Sequence, residues 1–114
     1  MTSVTSAMPR VFTPADYEGY IAGVNACYPE YPFSVAEMRH GDETFDFATY
    51  FRKRYVIDEG GRIIGGVEAT HLPGRFHPDR YRFDLWVVPE ARRRGHGTRL
   101  YDASIGELVA RNAL

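Results

Sequence analysis

The stretch Leu85-Trp86-Val87-Val88-Pro89-Glu90-Ala91-Arg92-Arg93-Arg94-Gly95-His96-Gly97-Thr98-Arg99-Leu100 decides the fold of this chain. An apolar run rich in aromatic and β-branched residues stops at Pro89, three consecutive arginines lead into Gly95-His96-Gly97, and apolar residues at helical spacing follow at once. A strand, a tight turn and a helix are predicted in that order. Gly95 and Gly97 let backbone N–H groups come close to a ligand. The first turn of the helix leaves its own N–H groups unpaired and aims its positive end at the same spot. Such a turn binds phosphate.

Upstream of it, Tyr55-Val56-Ile57 and Arg62-Ile63-Ile64 flank Asp58-Glu59-Gly60-Gly61, a hairpin signal. The second arm continues through Thr70, and its adjacent Gly65 and Gly66 mark a bulge or a close approach to the backbone. His71 to Arg80, with Pro73, Gly74 and Pro78, reads as a loop, and Tyr81 to Val88 as the third strand of an antiparallel meander. Nearer the start, residues 1–7 read as frayed and Met8 to Phe12 as a short first strand that tolerates Pro9. Thr13-Pro14-Ala15-Asp16 then opens a helix whose Tyr17, Ile21 and Val24 share one apolar face as far as Cys27.

Pro29 and Pro32 close that helix, and the aromatics Tyr28, Tyr31 and Phe33 either line a groove or pack beneath the loop. Ser34 with Glu37 signals a short helix through Met38 and Arg39, interrupted by His40-Gly41-Asp42. Phe45, Ala48, Thr49 and Phe51 or Arg52 suggest a further helical turn. Arg52-Lys53-Arg54 reads as solvated surface charge at its end or at the start of the next strand. The last helix is expected to turn Leu100, Ile105 and Leu108 toward the sheet. The fold class is therefore α/β of the α+β kind: a mostly antiparallel sheet of about four strands with flanking helices, in one domain over residues 1–114.

Composition narrows the function. Net charge is only −1, yet residues 71–101 hold seven basic side chains against three acidic ones. The positive charge sits beside the predicted phosphate turn, which favours a small anion over a nucleic acid. A single cysteine, Cys27, excludes an internal disulfide and a multi-cysteine metal site, and it reads as core filler. The four histidines form no metal motif. No run is long enough to span a membrane and no signal peptide opens the chain, so a soluble cytoplasmic protein is expected. A serine triad, a kinase set and a dinucleotide fingerprint are all missing; Gly95-His96-Gly97 lacks the third glycine.

Val87, Pro89, Arg92, Gly95, Gly97 and Leu100 spell Val-x-Pro-x-x-Arg-x-x-Gly-x-Gly-x-x-Leu. The pattern resembles the acetyl-CoA-binding signature of the GCN5-related N-acetyltransferases, and the resemblance implies a truncated acyl-CoA N-acyltransferase fold. It implies that Trp86, Val87 and Val88 meet the pantetheine arm of coenzyme A. Arg92, Arg93, Arg94, Gly95, His96, Gly97 and Thr98 would then form the pyrophosphate turn. Arg92 and Arg94 are expected to face the phosphates and Arg93 to point away, while His96 acts through its backbone N–H.

In such enzymes an amine attacks the thioester of acetyl-CoA directly, which requires a base, and Glu68 and Asp84 are the candidates. The alternative for each is a solvent-facing or ion-paired carboxylate. His71 and His77 read as surface residues. The acceptor is a small-molecule or protein amine, with no metal. The competing function is a non-catalytic acyl-CoA-binding or interaction module. The resemblance covers nearly the whole chain but only the first two-thirds of the family's domain. It lacks the family's fifth strand and the tyrosine near the departing sulfur. The fourth strand is then an open edge, and a homo-oligomer formed through it, or completion by another chain, is expected.

Overall fold

A computed structural model describes residues 8–71 and 80–111. Expectations for residues 1–7, 112–114 and the 72–79 part of the loop, His77 included, lie outside the described residues. The described residues form one four-stranded sheet in the order β1 (Arg10–Val11), β2 (Arg52–Glu59), β3 (Arg62–Thr70), β4 (Arg82–Val87), every neighbour antiparallel. Three helices complete it: α1 (Tyr17–Cys27), α2 (Val35–Thr44) and α3 (His96–Ala110). No helix among the described residues is long and apolar enough to cross a membrane.

The β2–β3 hairpin turns at Gly60 and Gly61, whose φ values of +63° and +90° match the left-handed turn the sequence predicts. Ile57 faces Gly65 whereas Asp58 faces Ile63, so Ile64 is the extra residue of a bulge. Beyond it, successive residues of β3 point to opposite faces. A Cβ at Gly65 would meet Leu100 of α3, while one at Gly66 would meet Tyr20 of α1 and the Trp86 indole. Helices α1 and α3 therefore cover opposite faces of β3, and its core positions are apolar on both sides.

Local chemistry explains the helix starts. Ser34 Oγ accepts from the Glu37 N–H and the Glu37 carboxylate accepts from the Ser34 N–H, both at 3.0 Å, the reciprocal cap read from sequence. At α1 a 3-10 turn over Pro14–Asp16 comes first, and the Asp16 carboxylate accepts from the Thr13 N–H at 2.8 Å. Arg10 pairs with the same carboxylate and holds its pKa at about 2.

Four expectations are corrected. His40-Gly41-Asp42 does not interrupt α2, because Asp42 is fixed by distant partners that outweigh local propensity. Residues 45–50 form a turn rather than a helix: Asp46 Oδ1 accepts from the Ala48 and Thr49 N–H groups. His71 is buried, not a surface residue; its Nδ1 accepts from the Phe51 N–H at 2.9 Å and its ring stacks on Tyr81. On α3 the buried stripe is Leu100, Ser104 and Leu108, and Ile105 lies half-buried at its flank, one residue round the helix from Ser104.

Candidate active site

Strand β4 ends at Val87, a 3-10 turn follows over Pro89–Ala91, and the backbone then doubles back through Arg93, at φ +66°, and Gly95, at φ +80°. Helix α3 begins at His96 with no side-chain cap, and its own ladder starts with the Arg99 N–H donating to the Gly95 carbonyl at 3.1 Å. The N–H groups of His96, Gly97 and Thr98 thus precede the first helical bond and face the turn. They border a cavity of about 440 Å³, lined also by Cys27, Arg92 and Arg93 together with Trp86 and Val87. Phosphate chemistry fits this donor set, because aligned backbone donors, two guanidinium groups and the positive end of a fifteen-residue helix converge there.

Individual arginines differ from the alternation expected of them. Arg92 and Arg93 line the cavity, whereas Arg94 turns away and pairs with Glu59 at 3.2 Å. The left-handed backbone at Arg93 reverses which side chains face inward. Arg92 Nε donates to the Val87 carbonyl at 2.8 Å, and the Cys27 thiol donates to the same oxygen at 3.4 Å. Cys27 is half-buried: it packs against the edge of the core and also borders the cavity. Val88 is fully buried and its N–H is spent on the Ile64 carbonyl, so it supports the wall from behind.

The His96 ring is only 3% exposed. Arg99 Nη2 lies 2.6 Å from its Nδ1, which makes Nδ1 the acceptor and leaves the proton on Nε2, where no acceptor stands among the described residues. Burial first, then the Arg99 and Arg94 charges, lowers its pKa, so the ring is neutral near pH 7.

A second cavity, about 660 Å³, opens on the α1–α2 side of the sheet and contains both candidate bases. Glu68 and Asp84 face each other across β3 and β4, and Arg54 faces Glu68 across β2 and β3, so the three side chains form a row on one face. Arg54 is 9% exposed, which overturns the reading of Arg52-Lys53-Arg54 as solvated charge. Its guanidinium donates to Glu68 Oε1 at 2.7 Å and to both Asp42 oxygens at 2.7 and 2.9 Å. Arg52 and the Tyr17 hydroxyl also donate to Asp42. Burial alone would raise the Asp42 carboxyl, but these bonds outweigh it and hold its pKa below the ordinary value. Period-2 alternation in β2 explains why Arg52 and Arg54 enter this network while Lys53 pairs with Glu107 of α3 on the opposite face.

Asp84 is half-exposed and pairs with Arg82 at 3.2 Å. Tyr28 and Phe33, both about half-exposed, line this cavity, whereas Tyr31 is 82% exposed. Sequence reading missed Arg54, Asp42 and Tyr20, because three consecutive basic residues show no polar–apolar alternation that would extend the Tyr55-Val56-Ile57 strand back to Arg52. The two cavities share Tyr28, Leu85 and Trp86, so they meet at β4. Among the described residues no group of three metal-binding side chains gathers in either.

A family model described as the acetyltransferase (GNAT) family matches residues 25–114. Among solved structures, an N-acetyltransferase from Staphylococcus aureus Mu50 superposes with a TM-score of 0.72 at 23% identity, over 94% of this chain and 68% of that one. A GNAT family acetyltransferase from Brucella melitensis in complex with acetyl-CoA gives 0.69 at 18%, over 93% and 70%. An aminoglycoside 6'-N-acetyltransferase complexed with coenzyme A gives 0.70 at 19%, over 92% of this chain and 57% of that one. None of the curated proteins compared with the chain matches it in sequence.

Proposed function

The chain belongs to the acetyltransferase (GNAT) family, and from that premise we propose that it moves an acetyl group from acetyl-CoA to an amine, the donor in the cavity at the start of α3 and the acceptor in the cavity beside α1 and α2. The observation that carries this reading is the meeting of the two cavities at Tyr28, Leu85 and Trp86, with open backbone donors in one and paired carboxylates in the other. Acetyl-CoA supplies an acetyl group activated as a thioester. Its pyrophosphate is held by the N–H groups of His96, Gly97 and Thr98 and by Arg92 and Arg93, and its arm runs along Trp86 and Val87.

The acceptor, a small-molecule amine or the amine of a protein side chain, enters over Tyr28 and Phe33. Glu68 draws its ammonium into the cavity and takes the proton that must leave before attack, directly or through water. Arg54 fixes the rotamer of Glu68 from beneath, and Asp84 stands on the solvent side as the second carboxylate. The setting proposed is the cytoplasm.

Titration calorimetry with acetyl-CoA tests the donor site: binding is expected below millimolar concentration, and no heat at millimolar removes the proposal. A thiol-release assay across diverse amines tests transfer. With Glu68→Gln we expect kcat to fall by roughly 10²–10⁴-fold while donor affinity stays unchanged. Binding without turnover for any amine would make the protein an acyl-CoA-binding module instead.

A further inference from the structure

Glu68 is held from one side only. Its Oε1 accepts from Arg54 Nε at 2.7 Å, and its Oε2 accepts no hydrogen bond from the described residues. The two terminal nitrogens of the same guanidinium go instead to the two oxygens of Asp42, Nη1 at 2.7 Å and Nη2 at 2.9 Å. A two-pronged bond of this kind is the stronger contact and fixes the plane of the guanidinium. Asp42 also accepts from Arg52 Nη1 at 3.0 Å and from the Tyr17 hydroxyl, so each of its oxygens accepts two bonds.

Charge sums to zero across this group, Arg52 and Arg54 against Asp42 and Glu68, and each of the four side chains is less than a fifth exposed. Charges shielded from water in this way act on one another over several ångströms. Arg54 paired with Glu68 alone would hold that carboxylate ionised so firmly that it would make a poor base. Asp42 draws on the same cation, and Asp84, opposite Glu68 across β3 and β4, adds a like charge from the other side. Helix α2 buries no residue fully, so packing alone does not account for the reach of Asp42 beneath the cavity.

We propose that Asp42 is a positioning residue that sets the basicity of Glu68 through Arg54 and so, on the reading of Glu68 as the base, sets how readily the amine loses its proton. It fixes the guanidinium plane, which orients Glu68, and takes up much of its charge, which leaves Glu68 able to accept a proton. Arg52 is the counterweight, because it draws on the same Asp42 carboxylate and makes no bond to Glu68. The other groups facing Glu68 are Tyr20 of α1, which stays protonated because burial raises its pKa, and Arg82 of β4 and Glu37 of α2 in the cavity wall.

NMR of the full chain labelled with carbon-13 at the glutamate carboxyls reads the Glu68 titration with no acceptor present, the signal being assigned by its loss in Glu68→Gln. Asp42→Asn leaves the group with a net positive charge and should move the Glu68 midpoint down by about one pH unit. Arg52→Gln leaves it net negative and should move the midpoint up. The double variant, neutral again, should return it close to the parent value. A strut whose loss merely loosens the site would shift both single variants the same way, and Arg52→Gln decides alone if Asp42→Asn does not fold. With phenethylamine and acetyl-CoA, the acidic limb of kcat/KM should follow the same order, and the plateau of Asp42→Asn should fall about threefold as the base weakens. Midpoints that move while the limb stays would count against Glu68 as the base and for its control by Asp42. Midpoints that stay, or that move the same way in both single variants, would overturn the proposal.

Discussion

Two runs of three basic residues, Arg52-Lys53-Arg54 and Arg92-Arg93-Arg94, have nearly the same composition and opposite fates. The first lies in a strand, so its side chains split between the two faces and each meets an acid of the chain itself: Asp42 and Glu68 on one side, Glu107 on the other. The second lies in a turn with two left-handed residues; one of its arginines braces β4, one pairs with Glu59, and Arg93 forms no ion pair among the described residues. Backbone geometry and the position of acidic partners decide the difference. A basic run in a strand is committed to structure, while a basic run in a glycine turn keeps charge available for a ligand.

Removing Arg54 should break the comparison most visibly. Arg54→Ala leaves the half-buried Glu68 without its cation and Asp42 with Arg52 alone, and a loss of about 3 kcal/mol in chemical denaturation is expected. Arg54→Lys keeps the charge but cannot span both acids, so its loss should be intermediate. A change under about 1 kcal/mol for the alanine variant would show that the strand run is no more committed than the turn. In the turn, Gly95→Ala must hold φ at +80° and bring a Cβ within 3.1 Å of Arg99 Nη1. A destabilisation of about 1–2 kcal/mol is expected, with acetyl-CoA affinity reduced alongside it in the same calorimetric series.

Acid should separate the two regions in order. His96 in the folded chain has a pKa below its ordinary value of 6.5, so the unfolded state binds its proton first as pH falls. The stability it contributes is complete above pH 6.5 and declines below it. Asp42 is likewise lowered, from an ordinary value of 3.8, and its contribution persists until pH falls below that. Denaturation midpoints followed from pH 8 to 3 should therefore show a first decline near pH 6, absent in His96→Gln, and a later one near pH 4. A single acid transition unchanged by that substitution would refute the separation.

The smaller effects distinguish the arginines of the turn. Arg93→Ala should weaken acetyl-CoA binding several-fold at low salt and less at high salt, with stability within about 0.5 kcal/mol of the parent. Arg94→Ala, which removes only an exposed pair with Glu59, should change both by less than about 0.5 kcal/mol. Equal losses of affinity from the two would mean that the pairing with Glu59 does not hold Arg94 away from the ligand.

What was legible in the sequence was what short-range chemistry controls. The Gly60–Gly61 turn, the Ser34–Glu37 cap and the strand–turn–helix at Gly95 each depend on residues within a few positions of one another, and each formed where expected. The Arg54 network depends on Asp42, twelve residues before it, and Glu68, fourteen after it; the pairing of β2 with β3 brings in Glu68, and the placement of α2 brings in Asp42. The same holds for His71, which packs against Phe51 and Tyr81, the residues just before β2 and β4. Glu68 and Asp84 could be named as carboxylates on predicted strands, but period 2 alone does not say which face is covered. The choice of face came from α1 and α2, whose packing is not written in either strand.

Trp86 closes the space between α1 and β3, its indole lodged against Gly23 and Gly66, and it belongs to the walls of both cavities. It is also the one tryptophan in the chain. Its emission spectrum is therefore an intrinsic reporter at the point where donor and acceptor would meet, and it needs no label. Occupancy of either cavity should change the wavelength or intensity of the same fluorophore, and loss of the α1 contact on unfolding should shift it toward the red, so that ligand titration and denaturation can be read in a single optical channel.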